Sequence, residues 1–159
     1  GIDGSMSTAV GFGADSNKPI FYITGELSFF YDMNSLSIRH LSNKTRILLI
    51  NNQGGAVMYD QPRNTPVEGL PIYLAAGETK TAKGWVESLG FKYLSAKNKE
   101  EVDAGVNVLL DESINQPILL EVFTNLSEDR YCIGDYIHSQ DQRSFGEKVS
   151  GRLSRMFKK

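Results

Sequence analysis

Two turns carry the residues best suited to chemistry. One opens Gly25-Glu26-Leu27-Ser28 and the other runs Asn51-Asn52-Gln53-Gly54-Gly55. Each follows an apolar run, Ile20-Phe21-Tyr22-Ile23 in the first case and Ile47-Leu48-Leu49-Ile50 in the second. Such runs read as buried strands of a parallel sheet. A helix-length segment, Phe30 to Leu41, lies between them. The unit is strand–helix–strand, and it delivers an acid and an amide to one sheet edge, where doubly wound sheets bind ligands. A carboxylate, a side-chain amide and a glycine carbonyl suit a hard cation such as magnesium, which is usually shared with a phosphate. The expected metal ligands are the Glu26 and Asn52 side chains and the Gly54 carbonyl. The same residues are also ordinary turn formers after strands.

Other elements must position that edge. Residues 1 to about 14 read as a turn and a helix, capped by Ser5 or Ser7, with Met6, Ala9, Val10 and Phe12 apolar. Pro19 starts the first strand. A helix opening near Ser28 would aim free N–H groups at the crevice, a ready anion site, with Ser28 as cap or as donor to a diphosphate. Further on, Thr79–Leu89 reads as a helix stopped by Gly90, and Phe91–Leu94 as a strand. Asn98 and Glu101 form a reciprocal cap before Val102, Val106, Leu109 and Leu110. Pro117–Phe123 is another buried strand, with Glu121 expected on an exposed or partner-facing side. Residues 125–142 are polar and receive no assignment. Ser144 with Glu147 caps an amphipathic helix over 144–159, its apolar face Phe145, Val149, Leu153 and Phe157. That helix is expected to dock on protein. The long connection 53–77 could lid the crevice, and Arg63 on it reads as solvated. His40 and His138 are read as surface residues. The alternation predicts one α/β domain over 1–159: a doubly wound, mostly parallel sheet with helices on both faces.

The 159 residues are enough for one sizeable core, and 40% hydrophobic with 23% charged residues is ordinary globular composition. A net charge of -2 gives no support for nucleic-acid binding. The single cysteine, Cys132, excludes an internal disulfide. No run reaches the about 20 apolar residues of a membrane span, and no signal-peptide pattern opens the chain, so a cytoplasmic location is expected.

Gly25-Glu26-Leu27 followed by Asn51-Asn52 resembles the thiamine-diphosphate signature, Gly-Asp-Gly, a spacer, then Asn-Asn. Gly1-Ile-Asp-Gly-Ser-Met-Ser-Thr-Ala, Gly25-Glu-Leu-Ser-Phe-Phe-Tyr-Asp-Met-Asn and Asn51-Asn-Gln-Gly-Gly narrow the resemblance. Together they look like the diphosphate-binding domain of the menaquinone-pathway 2-succinyl-5-enolpyruvyl-6-hydroxy-3-cyclohexene-1-carboxylate synthases. The match is dense over residues 1 to about 58 and architectural beyond.

The resemblance implies the rest. Thiamine diphosphate and Mg2+ would be the cofactors. Ile2 would lie under the bent cofactor, with Asp3 and Gly4 at the diphosphate end. Gly25, Leu27 and Ser28 would line the same site. Val57 would meet cofactor and substrate, and Met58 substrate. The family has Asp where Glu26 stands, and typically a bulky pair ending in Phe where Val57-Met58 stands. The implied reaction joins 2-oxoglutarate, after decarboxylation, to isochorismate. The activating glutamate would come from a separate pyrimidine-binding domain or subunit across an interface in a homo-oligomer such as a dimer. No catalytic residue is therefore assigned within this chain. The family motif lies deep in a longer polypeptide, so an excised domain or a subunit of a split enzyme is expected. A split thiamine-diphosphate decarboxylase or acyl transferase with another 2-oxo acid, and a degenerate assembly domain, are the alternatives.

Overall fold

A computed structural model describes residues 2–55 and 80–140, without the side chains of 130, 133, 134, 137 and 138. In chain order the elements are α1 (Ser5–Gly13), β1 (Ile20–Gly25), α2 (Glu26–Asp32), a 3-10 turn (Met33–Ser37), β2 (Thr45–Asn51), α3 (Lys83–Ser88), β3 (Lys92–Ala96), α4 (Lys99–Leu110), β4 (Ile118–Phe123) and α5 (Leu126–Gln140). The four strands pair in parallel in the order β1-β2-β4-β3. That is the expected α/β architecture. The assigned lid 53–77 lies mostly outside the described residues, as do Val57, Met58, Arg63 and the helix assigned to 144–159.

Alternation along the strands divides the core in two. Ile47, Leu49 and Leu119 meet Met6, Val10, Phe29, Leu36 and Val86 from α1, α2, the 3-10 turn and α3. Ile118, Leu120 and Val122 face the other way and pack on Leu109 of α4 and on Ala96. Helices therefore cover both faces. The cover is incomplete over β1, an edge strand among the described residues, where Phe21 and Ile23 are 51% and 71% exposed.

Several boundaries move for local reasons. The expected helix at Phe30–Leu41 instead opens at Glu26, because Gly25 is extended (φ -89°, ψ 165°) and serves as the N-cap. Ser28 therefore sits inside the first turn and is not the cap. The helix gives way after Asp32, where Ser35 Oγ donates to the Asp32 carbonyl and Ser37 Oγ to that of Asn34. Serine side chains that compete for backbone carbonyls disfavour a continuing helix. His40 lies exposed in the following turn. At α4 Asn98 caps as expected, its Oδ1 accepting from Glu101 N (2.9 Å), but the return bond shifts by one residue: the Glu101 carboxylate accepts from the N–H of Lys97 (2.7 Å) and not from that of Asn98. Residues 126–140, unassigned from sequence, form α5. Asn125 Oδ1 accepts from Ser127 and Glu128 N–H at its start. Tyr131 and Tyr136 on this helix are exposed.

At the opposite end of the sheet Arg46 is buried, 1% exposed, on β2. Its guanidinium donates to the carbonyls of Asn43, Thr45, Gln116 and Ile114 at 2.8–3.1 Å. Burial lowers its pKa, and Asp111 opposes that. The side chain stitches the start of β2 to the approach to β4. Arg46→Met strands those carbonyls and is expected to lower unfolding free energy by on the order of 3 kcal/mol in urea denaturation.

Candidate functional site

Register explains why the two turns meet. Gly25 pairs with Ile50, so the chain leaves both strands at the same level and Glu26 emerges beside Asn51 and Asn52. Glu26 is buried, and its Oε1 accepts from the N–H of Gly55 (2.7 Å) and of Gly54 (3.2 Å). Asn52 Oδ1 accepts from the same two groups, at 2.9 and 3.2 Å. A carboxylate oxygen and an amide oxygen thus converge on one pair of backbone amides. Gln53 (φ 63°) and Gly55 (φ 64°) both adopt left-handed backbone to make this turn. A side chain at Gly55 is excluded twice over, since a β-carbon there would lie 2.5 Å from Leu27 Cδ1. Leu27 is thereby packed under the turn.

The two asparagines do different work. Asn51 is fully buried and acts as a frame. Its Nδ2 donates to Glu121 Oε1 (2.7 Å) and to the Lys80 carbonyl (2.9 Å), and its Oδ1 accepts from Gln53 N (3.0 Å). Its carbonyl accepts from Thr124 N, tying β2 to the tip of β4. Asn52 is half-buried. Its Nδ2 donates to Asp129 Oδ2 of α5 (3.2 Å).

Glu121 corrects the expectation that it faces solvent or a partner. It is fully buried. Besides Asn51 it accepts from Thr81 Oγ1 (2.6 Å), Tyr93 OH (2.7 Å) and Ala82 N (3.2 Å to each oxygen). A carboxylate at the start of α3 also suits the helix dipole. Sequence reasoning missed Glu121 and Asp129 because neither belongs to a local pattern. Their partners are 28 to 77 residues away in the chain, except for nearby Thr124.

The other expected site residues are placed as follows. Gly4 is the N-cap of α1 with φ 70°, and Ile2 is 41% exposed. Asp32 of α2 accepts from Ser7 N and Oγ, and Ser5 Oγ shares a hydrogen bond of 2.8 Å with Tyr22 OH, which fixes the first turn of α1. Among the described residues no hydrogen bond links the Ile2–Gly4 turn to Glu26 or Asn52. Ser28 is half-buried, and Gly25 is exposed.

As a donor set, Glu26 and Asn52 offer hard oxygens that fit magnesium or calcium. Among the described residues no three His, Cys, Asp or Glu side chains cluster as a metal cage. A cation here would draw its remaining oxygens from backbone, water or a bound phosphate. Fold and site together define a doubly wound α/β domain with a carboxylate and an amide oxygen gathered at the carboxyl edge of its sheet.

Comparison with known proteins narrows this. No family model matches the chain. Curated relatives do. The chain is 39% identical over 139 residues to the 2-succinyl-5-enolpyruvyl-6-hydroxy-3-cyclohexene-1-carboxylate synthase of Bacteroides fragilis, a match covering 87% of the chain and 25% of that protein. It is 40% identical over 144 residues to the synthase of Bacteroides thetaiotaomicron, covering 90% of the chain and 26% of the relative. It is 40% identical over 139 residues to that of Phocaeicola vulgatus, covering 87% and 25%. The chain is similar to these synthases over a domain-sized stretch. It spans about a quarter of their length. No helix among the described residues is long and apolar enough to cross a membrane.

Burial pushes the Tyr93 phenol up to about 12; Thr81 opposes that and its bond to Glu121 adds to it. The folded state therefore favours the protonated phenol over the unfolded chain, whose tyrosines ionise near 10. That contribution is whole below pH 10 and is lost as pH rises toward 12. Tyr93→Phe should flatten this alkaline limb of stability and remove a phenol that ionises at about 12 from an ultraviolet pH titration.

Proposed function

We propose that this domain binds thiamine diphosphate through its diphosphate and a divalent cation, Mg2+ foremost. It would do so as part of a carboligase and decarboxylase acting on 2-oxo acids. The substrates of the menaquinone-pathway reaction, 2-oxoglutarate and isochorismate, are the reading favoured by the names of the relatives. The observation that carries the proposal is the convergence of Glu26 and Asn52 on Gly54 and Gly55 at the carboxyl edge of two paired strands.

Glu26 and Asn52 would hold the cation, with the Gly54 carbonyl, and Leu27 and Gly55 keep the turn compact beneath it. Ile2, Asp3, Gly4, Gly25 and Ser28 belong to the proposed cofactor surface, and Val57 and Met58 to the substrate side. When bound, thiamine diphosphate supplies the carbanion chemistry, and protein supplies binding and orientation. The chain's own residues neutralise the diphosphate through the cation and hold the crevice shape. The activating glutamate is assigned to a pyrimidine-binding domain or subunit, in a homo-oligomer located in the cytoplasm.

Calorimetry with thiamine diphosphate and Mg2+ together is expected to show binding by the wild-type chain. Glu26→Gln keeps the length and removes the charge, and should weaken binding by about tenfold or more. Glu26→Asp withdraws the oxygen by one methylene from its 2.7 Å contact with Gly55 N–H and should also weaken it. A second reading, a domain retained for assembly alone, has one observation in its favour. Glu26 Oε1 and Asn52 Oδ1 are already engaged by Gly54 and Gly55, so the turn closes on itself through two of the three side-chain oxygens. Absence of binding, or tighter binding by Glu26→Asp, would favour that reading.

The purified chain alone is expected to show no steady decarboxylation of 2-oxoglutarate. Turnover measured without an added pyrimidine-binding part would overturn the assignment of the activating glutamate elsewhere.

A further inference from the structure

We infer that Asp129, on α5, is a positioning residue that, together with the Gly54 and Gly55 N–H groups, fixes the sense of the Asn52 amide. For cation affinity this rests on the thiamine-diphosphate reading; for the orientation of the amide it does not.

The two ends of a side-chain amide have nearly the same shape, so their neighbours decide which way it points. An ionised carboxylate can only accept. Asp129 Oδ2 faces Asn52 at 3.2 Å and so selects Nδ2. The same oxygen accepts from Thr124 Oγ1 at 2.7 Å, which holds it in place at the end of β4. With Nδ2 committed, Oδ1 must face the Gly54 and Gly55 N–H groups and the Glu26 oxygen that shares them. Turning the amide over would set its NH2 against those two N–H donors and its oxygen against a carboxylate. Three hydrogen bonds would be lost and three like-polarity contacts made.

The segment that carries Asp129 is anchored for the purpose. Asn125 closes the first turn of α5, and Asp129 N donates to the Asn125 carbonyl at 2.9 Å. Leu126 lies against Gly54, where an added β-carbon would stand 3.3 Å from its Cδ1. The start of α5 therefore touches the turn twice, through an apolar side chain and through a carboxylate. The stretch without a recognisable pattern in the sequence becomes the wall that orients a hard oxygen. Outer groups of this kind typically change metal affinity by 10–100-fold when removed.

The experiment uses the full chain and two readouts. In the 15N-labelled protein without cofactor, the Asn52 side-chain NH2 signal is assigned by its disappearance in Asn52→Asp. Its hydrogen-bonded proton is expected downfield and slow to exchange. It should return to the free-amide position in Asp129→Leu and stay in Asp129→Asn, which keeps an oxygen acceptor. An unchanged signal in Asp129→Leu overturns the inference.

Calorimetry with Mg2+ and thiamine diphosphate gives the second readout. Asp129→Leu should weaken binding by about tenfold with Tm within a few degrees of wild type, while Asp129→Asn retains most of the affinity. In an Asn52→Asp background the side chain has no donor for Asp129 and two carboxylates face each other, so Asp129→Leu should not weaken binding and is expected to strengthen it. An equal loss in both backgrounds, or a loss that only follows Tm, would mean that α5 acts by packing and overturns the inference. If wild type binds no thiamine diphosphate, the proposed function falls and the Asn52 signal alone decides the role of Asp129.

Discussion

The parallel register of β1 and β2 is the constraint on which everything else in this domain depends. Side chains alternate faces along a strand, so a slip of one residue would exchange every inward and outward position. With Gly25 level with Ile50, the last residues of two strands meet side by side and their turns share two amide protons. The register is held by what it buries. Ile47 and Leu49 point into the α1–α2–α3 layer, and their neighbours Leu48 and Ile50 point to the other.

On that frame, two adjacent asparagines divide the labour of holding and presenting. Asn51 is drawn inward by Glu121, whose four donor groups come from β2, the start of α3 and β3. A buried carboxylate is tolerable only when so many donors replace its water. Asn52 is drawn outward by a carboxylate on α5. A dipeptide thus acquires two opposite orientations from two acids that are themselves nowhere near it in sequence.

That division shows what the sequence made legible. The strand runs at Ile20 and Ile47, the turns after them and the Asn98–Glu101 cap are local patterns, and each was readable as such. So was the meeting of Glu26 with Asn52, because adjacency of parallel strand tips follows from one strand–helix–strand unit. Glu121 was misread because a lone acid in an apolar strand ordinarily signals an exposed position, and only the long-range partners Asn51, Thr81 and Tyr93 reverse that. Helix α5 went unseen because polar residues such as Ser127, Glu128, Asp129 and Asp135 obscure any apolar period in its sequence. The start of α2 was placed too late because Ser28 is a better cap by type than Gly25, yet the extended glycine already supplied the bend.

Strand β1 has a consequence of its own. Its outer edge has no neighbour among the described strands, and Phe21 and Ile23 stand bare on one face. Unpaired backbone beside bare aromatic and branched side chains is a template for adding another strand. Handled apart from any covering surface, this chain would self-associate through that border, and its colloidal behaviour would report on β1 before it reported on the crevice.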